Sequence, residues 1–218
     1  MKMYDIANRA AVFLARETGL EEKKVDRVRF GLEMIFGEII KVFILLIAAV
    51  ILGILPEALA AMVVFTSLRL VSGGAHCEDY WRCLAFGLII ELGSGGLGLL
   101  AARYLTEPLL VRSILIGAAV LAVPVAIWAP GEVSLRMIKP EDRGLSKGLS
   151  LVMLFLLAGV LTKFIMPLSI SVAAAGFLSL AMQVFSLTPP GYRVIDSFDI
   201  LLSRIIGERR CSIHAENA

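Results

Sequence analysis

Composition and hydropathy predict an all-α, polytopic membrane protein with about six transmembrane helices and amphipathic helices at both ends. Of 218 residues, 58% are hydrophobic and 18% charged, and the mean hydropathy is +0.85. Soluble domains hold about 45–50% apolar and about 25% charged residues, so a water-soluble fold would struggle to hide this much apolar surface. The apolar residues also fall in runs approaching the ~20 needed to cross ~30 Å of hydrocarbon, and the bases segregate to alternate connections.

Residues Met3 to about Phe30 come first. Ile6, Ala10, Phe13, Leu14 and Leu20 recur at helical spacing, with Arg9, Arg16 and Glu17 between them, as in a helix lying on a membrane surface. The first thirty residues carry Lys2, Arg9, Arg16, Lys23, Lys24, Arg27 and Arg29 and no apolar core. The apolar run that follows therefore reads as a retained helix rather than an export signal. That first span is expected to end at Leu55, before Pro56, with an apolar core from Val42 and with Glu38 and Lys41 reaching toward headgroups. Glu57 occupies the connection to a second run, Ala58–Leu68. The third span is expected from Leu84 to about Ala102, with Glu91 near its middle, and the fourth from Ser113 to Trp128. A basic connection, Pro130–Lys147, precedes a fifth span from Leu149 to about Met166 and a sixth from Leu168 to Leu187. Thr188-Pro-Pro-Gly191 stops that helix, because proline lacks the backbone donor and clashes with the preceding turn. The tail from Tyr192 aligns Ile195, Phe198, Leu202 and Ile205 as a second interfacial helix. One membrane domain, 1–218, is expected: an interfacial helix in 1–30, a six-span core in 31–187 and a tail in 188–218.

Six spans leave Arg103, Arg112 and Lys163 on one side. The N-terminal bases, Arg69, Arg82, the connection's Arg136, Lys139, Arg143 and Lys147, and Arg193, Arg204, Arg209 and Arg210 gather on the other. Basic residues concentrate in cytoplasmic loops, so both termini and the segment 69–83 are expected to face the cytoplasm.

That segment, Arg69-Leu-Val-Ser-Gly-Gly-Ala-His-Cys-Glu-Asp-Tyr-Trp-Arg-Cys83, holds the chemistry-bearing residues. A cysteine attacks as its thiolate, and a neighbouring histidine activates it and later protonates the leaving amine. On a straight helix His76 and Cys83 would share a face yet stand about 10.5 Å apart along the axis, whereas proton transfer needs ~3 Å. A break is required, and Gly73 and Gly74 can supply it. A helix from Ala58 to Val71 covers only about 21 Å, so 72–83 is expected to be re-entrant or interfacial, against protein or a water-filled cavity. Cys83 is preferred over Cys77 as nucleophile, because it opens a span near a helix N-terminus while Cys77 is adjacent to His76, and adjacent side chains point apart. A packing role for the His–Cys pair is the plainer reading. Zinc is the weaker one: a closed site needs four ligands, and only Glu78, Asp79, Cys211 or His214 could complete it. Gly93, Gly95, Gly96 and Gly98 most simply allow close helix packing. Gln183 reads as interhelical glue or as an orienter of the histidine.

Ser72-Gly73-Gly74-Ala75-His76, with a cysteine seven residues after the histidine, resembles the accessory gene regulator protein B (AgrB) family, membrane cysteine endopeptidases that process quorum-sensing propeptides. Length, six spans, cytoplasmic termini and a basic connection after Trp128-Ala129-Pro130 extend the likeness over most of the chain. The resemblance implies that Cys83 attacks an AgrD-like propeptide near its C-terminus, with His76 as general base and then acid. An acyl-thioester then closes to a thiolactone or lactone, the autoinducing peptide. Arg69, Ser72, Gly73 and Gly74 would bind substrate. Implied partners are the bilayer and a second copy in a homodimer, with no cofactor, metal or nucleic acid. Cys77 departs from the family, which commonly has alanine there. Glu78 and Asp79 bring negative charge that either strengthens the histidine as a base or solvates the segment.

A rival reading makes the chain a transporter or channel subunit, with Arg69, Glu91 and Gln183 lining a polar pathway. Cysteine substitution separates the two, since only the peptidase needs the thiol.

Overall fold

In the computed structural model, residues 3–18, 22–75, 77, 79–131 and 143–206 are described. Among them lie eight α-helices and no strand: α1 Met3–Thr18, α2 Glu22–Leu52, α3 Leu55–Ser72, α4 Tyr80–Ala101, α5 Glu107–Trp128, α6 Arg143–Val160, α7 Ile170–Phe185 and α8 Pro189–Ile206. The chain is a multi-pass, all-α membrane protein. Five helices are long and apolar enough to cross a bilayer, or six if α7 and α8, bent by 92°, count as one span. At 16 residues, α7 covers about 24 Å, shorter than the span expected over 168–187.

The chain divides into two compact units, 1–51 and 52–218. In the first, α2 runs through 31 residues from Glu22, so the basic stretch 22–30 continues directly into the first span instead of belonging to the surface helix. Ion pairs on adjacent turns carry its charged end: Arg29 with Glu33 at 3.1 Å and with Asp26 at 3.4 Å. Lys41 pairs with Glu38 at 3.8 Å. From Ile39 onward the exposed side chains include Ile39, Phe43, Ile47 and Val50, a surface suited to lipid rather than water. On α1, Phe13 and Leu14 are exposed too, as an interfacial helix requires.

In the second unit, α7 packs against α3 and α4, and α6 against α3 and α5. The core includes Val64, Leu68, Ile114, Leu154, Leu161, Leu180 and Val184. Small residues decide how closely helices approach. A Cβ on Gly98 would stand 2.6 Å from Ala175, and one on Gly95 3.3 Å from Ala58 N. Gly93 and Gly96 meet nothing within 4 Å, so only two of the four glycines expected to serve packing do so. Pro56 lies in the first turn of α3, where its missing N–H is no loss. Glu57 is in that turn as well, buried, accepting from Ser171 Oγ at 2.6 Å.

The ends of the helices alternate. Ser72, closing α3, accepts from Gly131 N, which follows α5, at 2.8 Å. Ser186, closing α7, accepts at its carbonyl from Ala75 N at 3.3 Å. The C-termini of α3, α5 and α7 and the N-terminus of α4 thus meet at one end of this unit. Trp81 and Trp128 are exposed there, and Tyr104 is exposed at the other end of α4, the distribution aromatic residues adopt at two membrane interfaces.

Candidate active site

The segment singled out by sequence lies at this shared end. α3 stops at Ser72, and Gly73 (φ 67°) and Gly74 (φ 139°) turn the chain in conformations that L side chains rarely adopt. The break expected from the glycine pair is therefore present, and it is short: the helix resumes at Tyr80.

Five hydrogen bonds hold the turn. Gly73 N donates to Arg69 O (2.9 Å), Gly131 N to Ser72 O (2.8 Å) and Ala75 N to Ser186 O (3.3 Å). Gln183 Nε2 donates to Gly73 O at 2.8 Å, and Arg69 Nη2 to Ala75 O at 2.6 Å. Gln183 is fully buried and saturated: Nε2 also reaches Ser72 Oγ at 3.2 Å, while Oε1 accepts from Arg69 Nη1 and Ser186 Oγ, each at 3.3 Å. Gln183 is thus the link between α7 and the end of α3. Arg69 is engaged with the turn and has Phe65's ring centre 5.6 Å from its guanidinium. A Cβ on Gly74 would lie 2.8 Å from Ser186 Oγ, and one on Gly131 2.9 Å from Gly74 N. Two backbones and a serine close on each other here, and only glycine fits.

On the far side of the break Asp79 caps α4. Its carboxylate accepts from Trp81 N at 2.9 Å and Arg82 N at 3.4 Å, satisfying donors that a helix N-terminus leaves open. Asp79 before an apolar run is a helix-start signal, a stronger reading than charge beside the histidine. Cys83 N donates to Asp79 O at 3.0 Å, so Cys83 occupies the fourth helical position, near the N-terminus as the sequence predicts. Cys77 precedes the cap by two residues, and the Cys83 thiol is the largest influence on its ionisation. Both thiols are half-buried. The neighbouring Cys83 thiol, burial and the negative charge of Asp199 push the Cys77 thiol above its usual range, with Arg82 opposing.

Arg82 and Asp199 form the other support of this side. Arg82 Nη1 lies 3.3 Å from Asp199 Oδ2 and donates to Asp199 O at 3.2 Å, with both residues buried. Phe86 and Phe198 add a ring contact at 5.1 Å. The face α8 turns inward is therefore Ile195, Asp199 and Ser203, while Ile205 is exposed. The apolar stripe read from sequence ran through Ile205 and set Asp199 outside it. Hydropathy cannot see that a buried arginine awaits the aspartate.

Of the residues predicted from sequence, the structure gathers Arg69, Ser72, Gly73, Gly74 and Gln183 into one network and places Cys77 beside Cys83. His76, Glu78, Arg136, Lys139, Cys211 and His214 lie outside the described residues. Glu91 is fully buried in the middle of α4. Arg143 and Lys147, expected in the connection, are in the first turns of α6. Arg143 helps to line a cavity of about 470 Å³ with Trp128, Pro130, Gly131, Leu187, Pro189 and Tyr192. Sequence reasoning missed Asp199, Ser186 and Gly131, whose partners are distant in the chain.

Residues 7–187 match the family Accessory gene regulator B. An AgrB-like protein of Clostridium beijerinckii is 26% identical over 89 residues, 41% of this chain and 45% of that protein, so the match spans less than half the relative's length. No solved structure matches.

Proposed function

Because the chain belongs to the accessory gene regulator B family, we propose that it is a membrane cysteine endopeptidase that trims the C-terminal part of an AgrD-like propeptide. A role in the accessory gene regulator system follows from that membership. The observation that carries the finer reading is the position of Cys83: half-buried, on the capped first turn of α4, nine residues beyond a glycine turn held by α3, the end of α7 and Gly131.

In this reading the Cys83 sulfur adds to a peptide carbonyl near the propeptide's C-terminus. His76 takes the thiol proton and returns it to the departing amine. The C-terminal fragment leaves and an acyl-thioester remains on Cys83. A thiol or hydroxyl within the peptide then attacks that carbonyl, closing the ring and freeing Cys83. The thioester keeps the acyl group activated, which hydrolysis would dissipate, so the site must exclude water. Arg69, with Ser72, Gly73 and Gly74, shapes the edge against which the peptide lies. The cavity beside Gly131 offers Arg143, Trp128 and Tyr192 to an acidic, partly apolar peptide end. We assign the termini and the site to the cytoplasmic side from the distribution of bases, and a homodimer from the family.

The test is co-expression with an AgrD-like propeptide, read by mass spectrometry. Cys83→Ala and His76→Ala should yield no trimmed or cyclised peptide, and a trapped acyl-enzyme should map to Cys83. Processing that survives Cys83→Ala sinks the assignment. Charge reversal at Arg143 and Lys147 should weaken processing, and unchanged processing removes them from substrate binding.

A further inference from the structure

We propose that Arg82 is a catalytic residue, whose Nε–H donates to the oxyanion formed when the peptide carbonyl is attacked. The proposal rests on the reading of Cys83 as nucleophile.

The need for such a donor comes from the cap of α4. A nucleophile on the first turn of a helix ordinarily has open backbone N–H groups beside it, which can receive the developing negative oxygen. Here Asp79 takes them. Trp81 N and Arg82 N donate to its carboxylate at 2.9 and 3.4 Å, and Cys83 N donates to its carbonyl at 3.0 Å. A side chain must then supply the donor. Across the break, Gln183 Nε2 is committed to Gly73 O and Ser72 Oγ, and Arg69 donates to Ala75 O and Gln183 Oε1. Arg82 differs. It is 6% exposed, yet among the described residues no acceptor meets its Nε. Buried donors are nearly always satisfied, and a bare one bears its full desolvation cost. An uncommitted donor on the residue before the nucleophile is open to a group that exists only during reaction.

Tertiary packing fixes that donor in place. Asp199 holds the guanidinium by Nη1, which lies 3.3 Å from Oδ2 and 3.2 Å from the Asp199 carbonyl. Phe86 comes four residues after Arg82 and three after Cys83, spacings that share a helix face with each. It packs on Phe198 with ring centres 5.1 Å apart, so α8 covers the strip of α4 that joins Arg82 to Cys83. Cys77, two residues ahead of the cap, lies within electrostatic reach of Cys83, Asp199 and Arg82 together.

Both chemical steps pass through the same oxygen. The Cys83 thiolate adds to the peptide carbonyl carbon, and the π pair moves onto oxygen, which accepts from Arg82 Nε. Collapse returns that pair, expels the amine with a proton from His76 and leaves the thioester. The peptide's own thiol or hydroxyl, its proton taken by His76, then adds to the thioester carbon. The second oxyanion forms at the same donor, and its collapse expels the Cys83 thiolate. Arg82 keeps its proton throughout.

Arg82→Lys keeps a cation for Asp199 and removes Nε. Thermal unfolding of the full chain in detergent shows whether the variant is folded. With an AgrD-like propeptide, its kcat for cleavage should fall about a hundredfold while KM stays within about threefold. Alkylation of Cys83 by iodoacetamide, followed by mass spectrometry, forms no oxyanion and should stay within about threefold of wild type. The double variant Arg82→Met with Asp199→Leu, which leaves no charge buried, should repeat the pattern and carries the comparison if the lysine variant does not fold. Cleavage at the wild-type rate in either folded variant overturns the proposal. Cleavage and labelling that fall by the same factor also overturn it, since Arg82 would then act by positioning Cys83. A wild-type protein that labels at Cys83 but processes no propeptide removes the peptidase reading, and the donor role with it.

Discussion

On the α3 side of the break, Gly73–Ala75 is held by neutral backbone groups, an amide and one arginine. On the α4 side, the turn bearing Cys83 leans on a buried ion pair, Arg82 with Asp199. The first set of partners, Gly131, Gln183 and Ser186, lies within residues 7–187, the stretch matched by the family. Asp199 lies beyond it, on α8. The contrast separates two ways of fixing a site. A saturated hydrogen-bond network, in which the one charge, Arg69, is met by an amide and a backbone carbonyl rather than a carboxylate, defines one backbone path. A buried ion pair also defines a position, but its attraction is offset by the desolvation of both charges.

The largest expected effect tests that difference directly. Arg82→Met leaves the Asp199 carboxylate buried without its cation and should destabilise the protein by about 3–5 kcal/mol. Combining it with Asp199→Leu should recover most of that loss, because no charge then remains to desolvate. Denaturant or thermal unfolding of the two singles and the double provides the cycle, and an unrecovered double would place the pair in the same class as the hydrogen-bond network around Gln183. Gln183→Leu should cost less, about 1–3 kcal/mol in all, because Ser72 Oγ still donates to Gly73 O at 3.3 Å and Ser186 Oγ to the carbonyl of residue 183 at 2.7 Å. Adding Ser72→Ala should not restore stability, since it removes the donor that Gly73 O retains. Recovery in that double would erase the contrast.

Gly74→Ala comes next in stability, with strain of about 1–3 kcal/mol. Its effect on processing should be larger than on unfolding, because the added methyl drives against Ser186 Oγ and shifts the turn that leads to His76. A variant that loses stability but processes normally would detach the turn from the chemistry. The smallest effect concerns charge alone. Removing the neighbouring thiol with Cys83→Ala, or the nearby charge with Asp199→Asn, takes away influences that raise the Cys77 thiol. Either change should lower its titration and speed Cys77 alkylation at mildly alkaline pH. Slower labelling would show the sign to be wrong.

Local rules made part of the site legible. Positive φ at Gly73 and Gly74, the helix start before Cys83 and the membrane runs depend on a residue and its near neighbours. Other features escaped for equally definite reasons. Hydropathy separated 1–30 from the first span because the dense run of bases ends at Arg29, yet helix propensity continues and α2 begins at Glu22. Gln183 stood undecided between glue and orienter, since an amide's function depends on what faces it. Asp199 pairs with a residue 117 positions away, and nothing in the α8 stripe signals an arginine.

By itself, then, the sequence determined the class of solvent, the number of long apolar helices to within one, the site of the break and the thiol at a helix start. Each follows from composition or from spacing along a single helix. Tertiary structure decided which residues meet: Gly131 against Gly74, Gln183 across Gly73 and Ser72, and Asp199 against Arg82. Those contacts depend on how closely helices approach, and that is set by volumes and hydrogen bonds matched across elements far apart in the chain.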